Sequence, residues 1–279
     1  MNMNSAVRRL VVGLGNPGDR FALTRHNVGA LALDHIVEKF LPSFSSDPEG
    51  KDYKLQKSDE MNAFLCETNI GFFQGGEPGR DGRVVDYDFV DAVSSRRRAR
   101  TRNEGVPFTN VDLVLMRPGT YMNQSGGPVR VFLDGNRYKL RSNPNSSNLM
   151  DELVVVFDDV SLPFGTIRFS PKGGHGGHNG VRDIIQCVNT KRFPRLRIGV
   201  GAAYDVPQLS KYVLSNFSQD ETSELPTLLS FVSAIMRVYL HRGYGPAAQF
   251  ANSMTSTDFD VYRRKRRSIL ARIHKKKKG

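Results

Sequence analysis

Apolar and polar positions follow two rhythms along the chain, and these lay out its elements before any chemistry is considered. Arg9–Leu14 (RLVVGL) is a short apolar run ending in Gly-Asn-Pro-Gly, the pattern of a buried strand feeding a turn. From Asn27, apolar residues recur at Val28, Leu31, Ala32, Ile36 and Phe40, the spacing of a helix with one buried face. Ala63–Thr68 and Val111–Met116 read as strands, and Pro128–Leu133 as a short helix. Leu153–Phe157 (LVVVF) is continuously apolar and rich in β-branched residues, as a central strand covered on both faces should be. Thr166–Ser170 and Leu196–Val200 read as further strands, with a helix over His178–Val188. Leu225, Leu228, Leu229, Val232, Ile235, Met236 and Tyr239 mark a long amphipathic helix ending near Gly243. Pro226 is awkward inside a helix, so the start is placed near it. Strands alternating with helices predict an α/β fold: a single domain with a mixed, largely parallel central sheet flanked by helices.

Two stretches break the rhythm. Residues 69–110 and 137–150 are polar, with little periodicity, and read as insertions into a domain spanning residues 1–252. Residues 253–279 read as a basic, disordered tail. Charge follows the same division. The formal net charge is +12, but Arg263–Lys278 holds a dense run of Lys and Arg without one acid, as does Arg96–Arg102. Without these two runs the remaining residues are slightly acidic, so the overall charge says little about the folded part. No run of 18 apolar residues exists, which excludes an ordinary transmembrane helix. Met1–Arg9 has no apolar signal core, so no secretory signal is expected and a transit peptide has little room. Cys66 and Cys187 are too few for a disulfide framework and suit a reducing compartment.

Five segments could carry chemistry. Gly13-Leu-Gly-Asn-Pro-Gly18 follows a buried strand, where backbone N–H groups can meet a phosphate or simply close a tight turn. Pro17 removes a donor and no phosphate-binding lysine follows, so a nucleotide enzyme is disfavoured. Asn16 stands at the strand's end with an amide that both donates and accepts. His26, in Thr24-Arg25-His26-Asn27, precedes a helix and could serve as a general base, although a lone histidine there is more often a cap or a surface group. Asn123, in Met122-Asn123-Gln-Ser-Gly126, could cap a helix or donate to an oxyanion. Asp158, in Phe157-Asp158-Asp159, closes the most apolar strand and could orient an imidazole or be an ordinary turn acid. In Gly173-Gly-His-Gly-Gly-His178-Asn179-Gly180, two histidines three apart invite a zinc site, but no compact set of further ligands accompanies them. Asn179 could cap the following helix or contact substrate.

Taken together, VVGLGNPGDRF…TRHNVG, RPGTYMNQSGG and GGHGGHNGVRDI resemble the signature regions of the bacterial-type peptidyl-tRNA hydrolases, over Arg9 to about Asn252. The resemblance implies a monomeric enzyme without metal or cofactor. It would hydrolyse the ester between a peptide, or N-blocked amino acid, and the 3′-terminal ribose of tRNA. It assigns His26 as the base that activates water, Asp158 as its stabilising carboxylate, and Asn123 as the group that positions the water or carbonyl and stabilises the oxyanion. Asn16 would distinguish a blocked from a free amino group, Asn179 would bind substrate, and Phe21 and Tyr121 would line the channel. The chain departs from the family at two of these places. Phe21 replaces a frequent tyrosine, and Ser170 stands where many members carry a lysine that contacts tRNA phosphate. Arg168, Lys172 and Arg197 are the nearby candidates for that charge. The insertion at 69–110 and the basic tail point to a eukaryotic member, acting in the cytoplasm or alternatively in mitochondria. The tail reads either as a solvated appendage or as an arm with nonspecific attraction for tRNA or ribosomal RNA. The competing function is a non-catalytic RNA-binding protein on the same fold, a splicing or ribosome-associated factor.

Overall fold

The computed structural model describes residues 7–44, 53–73, 108–135, 153–201, 206 and 208–253. Its strands are β1 (Val7–Gly13), β2 (Gln56–Ser58), β3 (Ala63–Phe73), β4 (Phe108–Pro118), β5 (Leu153–Asp159), β6 (Ile167–Ser170) and β7 (Arg195–Gly199). They form one sheet in the order β2, β3, β4, β1, β5, β7, β6. The inner strands β4, β1, β5 and β7 run parallel, while β2 and β3 at one margin and β6 at the other are antiparallel. This is the mixed, largely parallel α/β sheet that the alternation predicts.

The α-helices among the described residues are α1 (Val28–His35), α2 (Gly126–Asp134), α3 (Asn179–Val188), α4 (Leu209–Val213), α5 (Gln219–Arg242) and α6 (Tyr244–Ser253). Because side chains alternate along a strand, β5 serves two cores at once. Val154 and Val156 pack with α1, α5 and α6, whereas Val155 and Phe157 pack with α2 and α3. That double burial is why the strand reads LVVVF, each fully buried aliphatic contributing about 1.5–3 kcal/mol.

Two expectations are corrected. The segment from residue 69 to 110 is not loop at its margins: β3 continues to Phe73 and β4 starts at Phe108, paired in register through Phe73 and Phe108. The margins of this polar segment are themselves strand-formers (Ile70, Phe72, Phe73, Phe108, Thr109), and Asn69 donates to Asp112 across the pair at 2.7 Å. The remainder of that insertion, the whole of 137–150 and the tail beyond Ser253 lie outside the described residues.

The long helix also starts earlier than Pro226. Ser218 Oγ accepts from Glu221 N–H and Glu221 Oε2 accepts from Ser218 N–H, a capping box that fixes α5 at Gln219 and leaves Pro226 inside it. An interior proline costs about 3 kcal/mol. Here Leu225, Leu228, Phe231, Val232 and Ile235, all buried on this helix, offset it.

The approach of α1 to the sheet decides where the chemistry sits. Leu14 N–H bonds to Val156 O at 3.0 Å, and Ala30 N–H bonds to Leu14 O at 2.9 Å. Helix and strands meet backbone to backbone: a Cβ on Gly29 would overlap the Val156 carbonyl, and one on Gly13 would overlap the Gly29 carbonyl. The residues just before α1 therefore lie over the ends of β1 and β5.

Candidate active site

The 3-10 turn Arg25–Asn27 leads into α1, and its residues are all buried. His26 Nδ1 lies 2.8 Å from Asp158 Oδ1. His178 Nε2 lies 2.9 Å from the same oxygen. The two imidazole rings stand 4.8 Å apart at 48°. Asp158 is 3% exposed. Burial pushes its carboxyl up, but the adjacent His178 and His26 imidazoles outweigh this and hold it well below the ordinary carboxylate range. The site stands at the C-terminal ends of parallel strands, where open α/β sheets gather ligands.

Asp159 turns the other way. Its Oδ2 accepts from Arg197 Nε at 2.5 Å, and its Oδ1 accepts from the Ser161 N–H and hydroxyl. Strand alternation thus separates the two neighbouring acids, one toward the imidazoles and one toward β7.

Asn16 is held by a reciprocal pair. Its N–H donates to Asn27 Oδ1 at 2.8 Å, and Asn27 Nδ2 donates to the Asn16 carbonyl at 2.9 Å. The Asn16 side chain reaches across to the next motif, its Oδ1 accepting from Met122 N–H at 2.8 Å. This bond ties the first signature segment to the 3-10 turn Met122–Gln124, which carries Asn123. Asn123 is exposed and makes no bond to protein among the described residues. It does not cap a helix: Ser125 is the N-cap of α2 and makes no side-chain cap bond. Phe21 and Tyr121, from the same two segments, meet edge to face at 6.5 Å, with Tyr121 50% exposed.

Nor does Asn179 cap α3. That role falls to His178, whose Nδ1 accepts from Val181 N–H at 3.3 Å, while exposed Asn179 accepts from Arg182. His178 and Asn27 are site residues that the sequence alone passes over. The signal for Asn27 is its place beside His26. For His178 it is the position just before a helical pattern, obscured by the zinc reading of its spacing from His175.

The proposed phosphate ligands lie along the β7–β6 margin, where Arg197 and Arg168 are paired in register. Arg197 is engaged by Asp159, Arg168 Nη1 donates to the Ile167 carbonyl at 3.1 Å, and Lys172 is exposed. Neither arginine bonds to the imidazole and amide groups of the cleft.

His26 Nδ1, a carboxylate oxygen of Asp158 and His178 Nε2 lie within 4.8 Å of one another, a spacing a metal ion could bridge. The donor chemistry does not fit one. Since His178 Nδ1 accepts a backbone N–H, the ring proton is on Nε2, and that nitrogen has no lone pair to offer.

A family model described as peptidyl-tRNA hydrolase matches residues 10–69 and 85–258. A curated peptidyl-tRNA hydrolase of Leifsonia xyli is 37% identical over 221 residues, covering 79% of this chain and 84% of the relative. One from a Synechococcus strain is 34% identical, covering 92% of this chain and all of the relative. Among solved structures, peptidyl-tRNA hydrolase from Acinetobacter baumannii superposes with a TM-score of 0.63 at 24% identity, over 90% of this chain and 97% of that one. At that identity the superposition speaks for the fold.

Proposed function

The chain belongs to the peptidyl-tRNA hydrolase family and hydrolyses peptidyl-tRNA, and we propose that His26 is the general base of that reaction. One observation carries the assignment: His26 Nδ1 donates to a buried carboxylate. That leaves Nε2 as the basic nitrogen, without a protein partner among the described residues. Nε2 removes a proton from water as the oxygen attacks the ester carbonyl. The bond from that carbon to the 3′-ribose oxygen then breaks, and the ribose hydroxyl leaves with the proton. Asp158 stabilises the imidazolium in between.

The exposed Asn123 amide donates to the developing oxyanion. Asn16, its Oδ1 occupied by Met122, presents Nδ2 to the substrate beside the blocked amino group. Phe21 and Tyr121 line the peptide channel, and Asn179 contacts the acceptor end. Arg168, Lys172 and Arg197 face tRNA phosphate, and the basic tail adds nonspecific attraction to RNA. No metal takes part, the enzyme works as a monomer, and its compartment is the cytoplasm.

The test is deacylation of N-blocked aminoacyl-tRNA, with EDTA present and free aminoacyl-tRNA as control. Turnover of the blocked substrate alone is expected. His26→Ala should slow it by about 10²–10⁴-fold with the fold intact. Near wild-type turnover by that variant would overturn the assignment of the base. Tight RNA binding without any deacylation would favour a binding protein on the same fold.

A further inference from the structure

We propose that His178 is a positioning residue: the cap of α3 locks its ring as the neutral Nε2–H tautomer, and its bond to Asp158 then fixes the orientation of His26 and moderates its base strength. This deepens the general-base reading and rests on it. The tautomer follows from a donor that cannot reverse. Val181 N–H points at His178 Nδ1, so that nitrogen carries no hydrogen. The ring proton is on Nε2 and is given to Asp158 Oδ1. A hydrogen on Nδ1 would set two donors face to face and break the helix cap, so the cap selects the Nε2–H tautomer. His26 carries no such lock. The Phe157 ring packs edge-on against His178 at 4.8 Å, and Gly180 leaves room beside Cε1 that a Cβ would narrow to 3.3 Å.

Both imidazoles address one carboxylate oxygen. A carboxylate that already accepts from His178 is less basic, and less of its charge is concentrated on His26. Removing the His178 donor leaves Asp158 to stabilise the His26 imidazolium more strongly. Other charged and titratable groups on the surrounding segments are engaged elsewhere: Arg25 with Glu221, Asp159 with Arg197, Asp183 with Gly126 N–H, Arg182 with Asn179 and His175 with Gly177 N–H. Asp158 is thus the ionised group through which the two rings communicate.

Two variants separate capping from tuning. His178→Asn keeps a capping oxygen but is too short to serve Asp158, whereas His178→Phe loses both roles. Both should move the acid limb of the kcat/KM profile upward by roughly one pH unit. The melting temperature should fall in His178→Phe and be largely kept in His178→Asn. In the wild-type protein at neutral pH, long-range ¹⁵N–¹H spectra should show the Nε2–H form of His178. A merely structural histidine would lower turnover at every pH and leave the limb in place. That result in both variants, or an Nδ1–H or charged His178, overturns the inference. Failure of the general-base reading is seen separately, as a His26→Ala variant that retains turnover, and the tautomer spectra still decide the state of His178.

Discussion

At the ends of β1 and β5, polar groups are held by fixed partners: buried Asp158 by two imidazoles, buried His178 by Val181 and Asp158, and half-buried Asn16 by Asn27 through its main chain and by Met122 through its side chain. Along the β7–β6 margin Arg168, Arg197 and Lys172 are half-buried or exposed, and one of them, Arg197, is already neutralised by Asp159. The contrast follows what each region has to recognise. Bond cleavage needs dipoles in place before charge develops; partners and burial supply this at the imidazole–carboxylate pair, while exposed Asn123 is placed by the 3-10 turn that carries it. Phosphates carry full charge from the start, and a mobile side chain in water can meet them at little reorganisation cost.

Substitutions can break this contrast or sharpen it. The largest loss is expected from Asp158→Asn, which removes the charge opposite the imidazolium. The value of kcat should fall by about 10²–10⁴-fold with KM little changed, read in steady-state deacylation. Asn123→Ala should lower kcat by about 10²–10³-fold, since its amide serves only the oxyanion. A KM effect alone would move Asn123 to the binding group. At the margin the effects are smaller and salt-dependent. Arg168→Ala should reduce the slope of log affinity against log salt by about 1 without altering kcat. Arg197→Ala should in addition destabilise the fold by about 1–3 kcal/mol, because Asp159 loses its partner, and denaturant titration would reveal this. An unchanged salt slope in Arg197→Ala would remove Arg197 from the phosphate-facing set.

The smallest effect is on stability in acid. The folded Asp158 carboxyl lies below its unfolded value of 3.8. Below that pH the unfolded chain takes up a proton that the folded chain resists, so this contribution is complete above 3.8 and fades as the pH falls further. Over the range from about pH 4 to 2, wild type should lose more melting temperature than Asp158→Asn.

Much of the scaffold was legible in the sequence because burial on one face or two leaves a period. LVVVF announced a strand covered on both sides, and Val28 to Phe40 announced the helical stretch that α1 opens and a π-helical turn, Ile36–Phe40, continues. The site was legible only in pieces. Asn16, His26, Asn123 and Asp158 each had a bland alternative, and it was the joint resemblance of three segments that set them side by side. Capping stayed open at Asn123 and Asn179 because propensity favours asparagine at helix starts, whereas His178 caps α3 through a ring whose other nitrogen is fixed by Asp158, twenty residues earlier in the chain. Pro226 misplaced the start of α5 for a similar reason: a local rule was overridden by the Ser218–Glu221 cap and by burial along the helix. The polar insertion hid its margins, where Ile70 and Phe72 extend the hairpin.

Gly13 and Gly29 meet through main chain alone, and His26 rides on the same segment three residues upstream. The gap between imidazole and carboxylate is therefore gauged by covalent geometry and atomic radii, not by whichever aliphatic groups happen to fill the interior. Over generations Leu, Ile and Val can replace one another beneath the sheet without this clearance drifting. A single methyl at either glycine would act as a shim, jacking the front of the helix off its seat and parting two groups that no repacking elsewhere could draw together again.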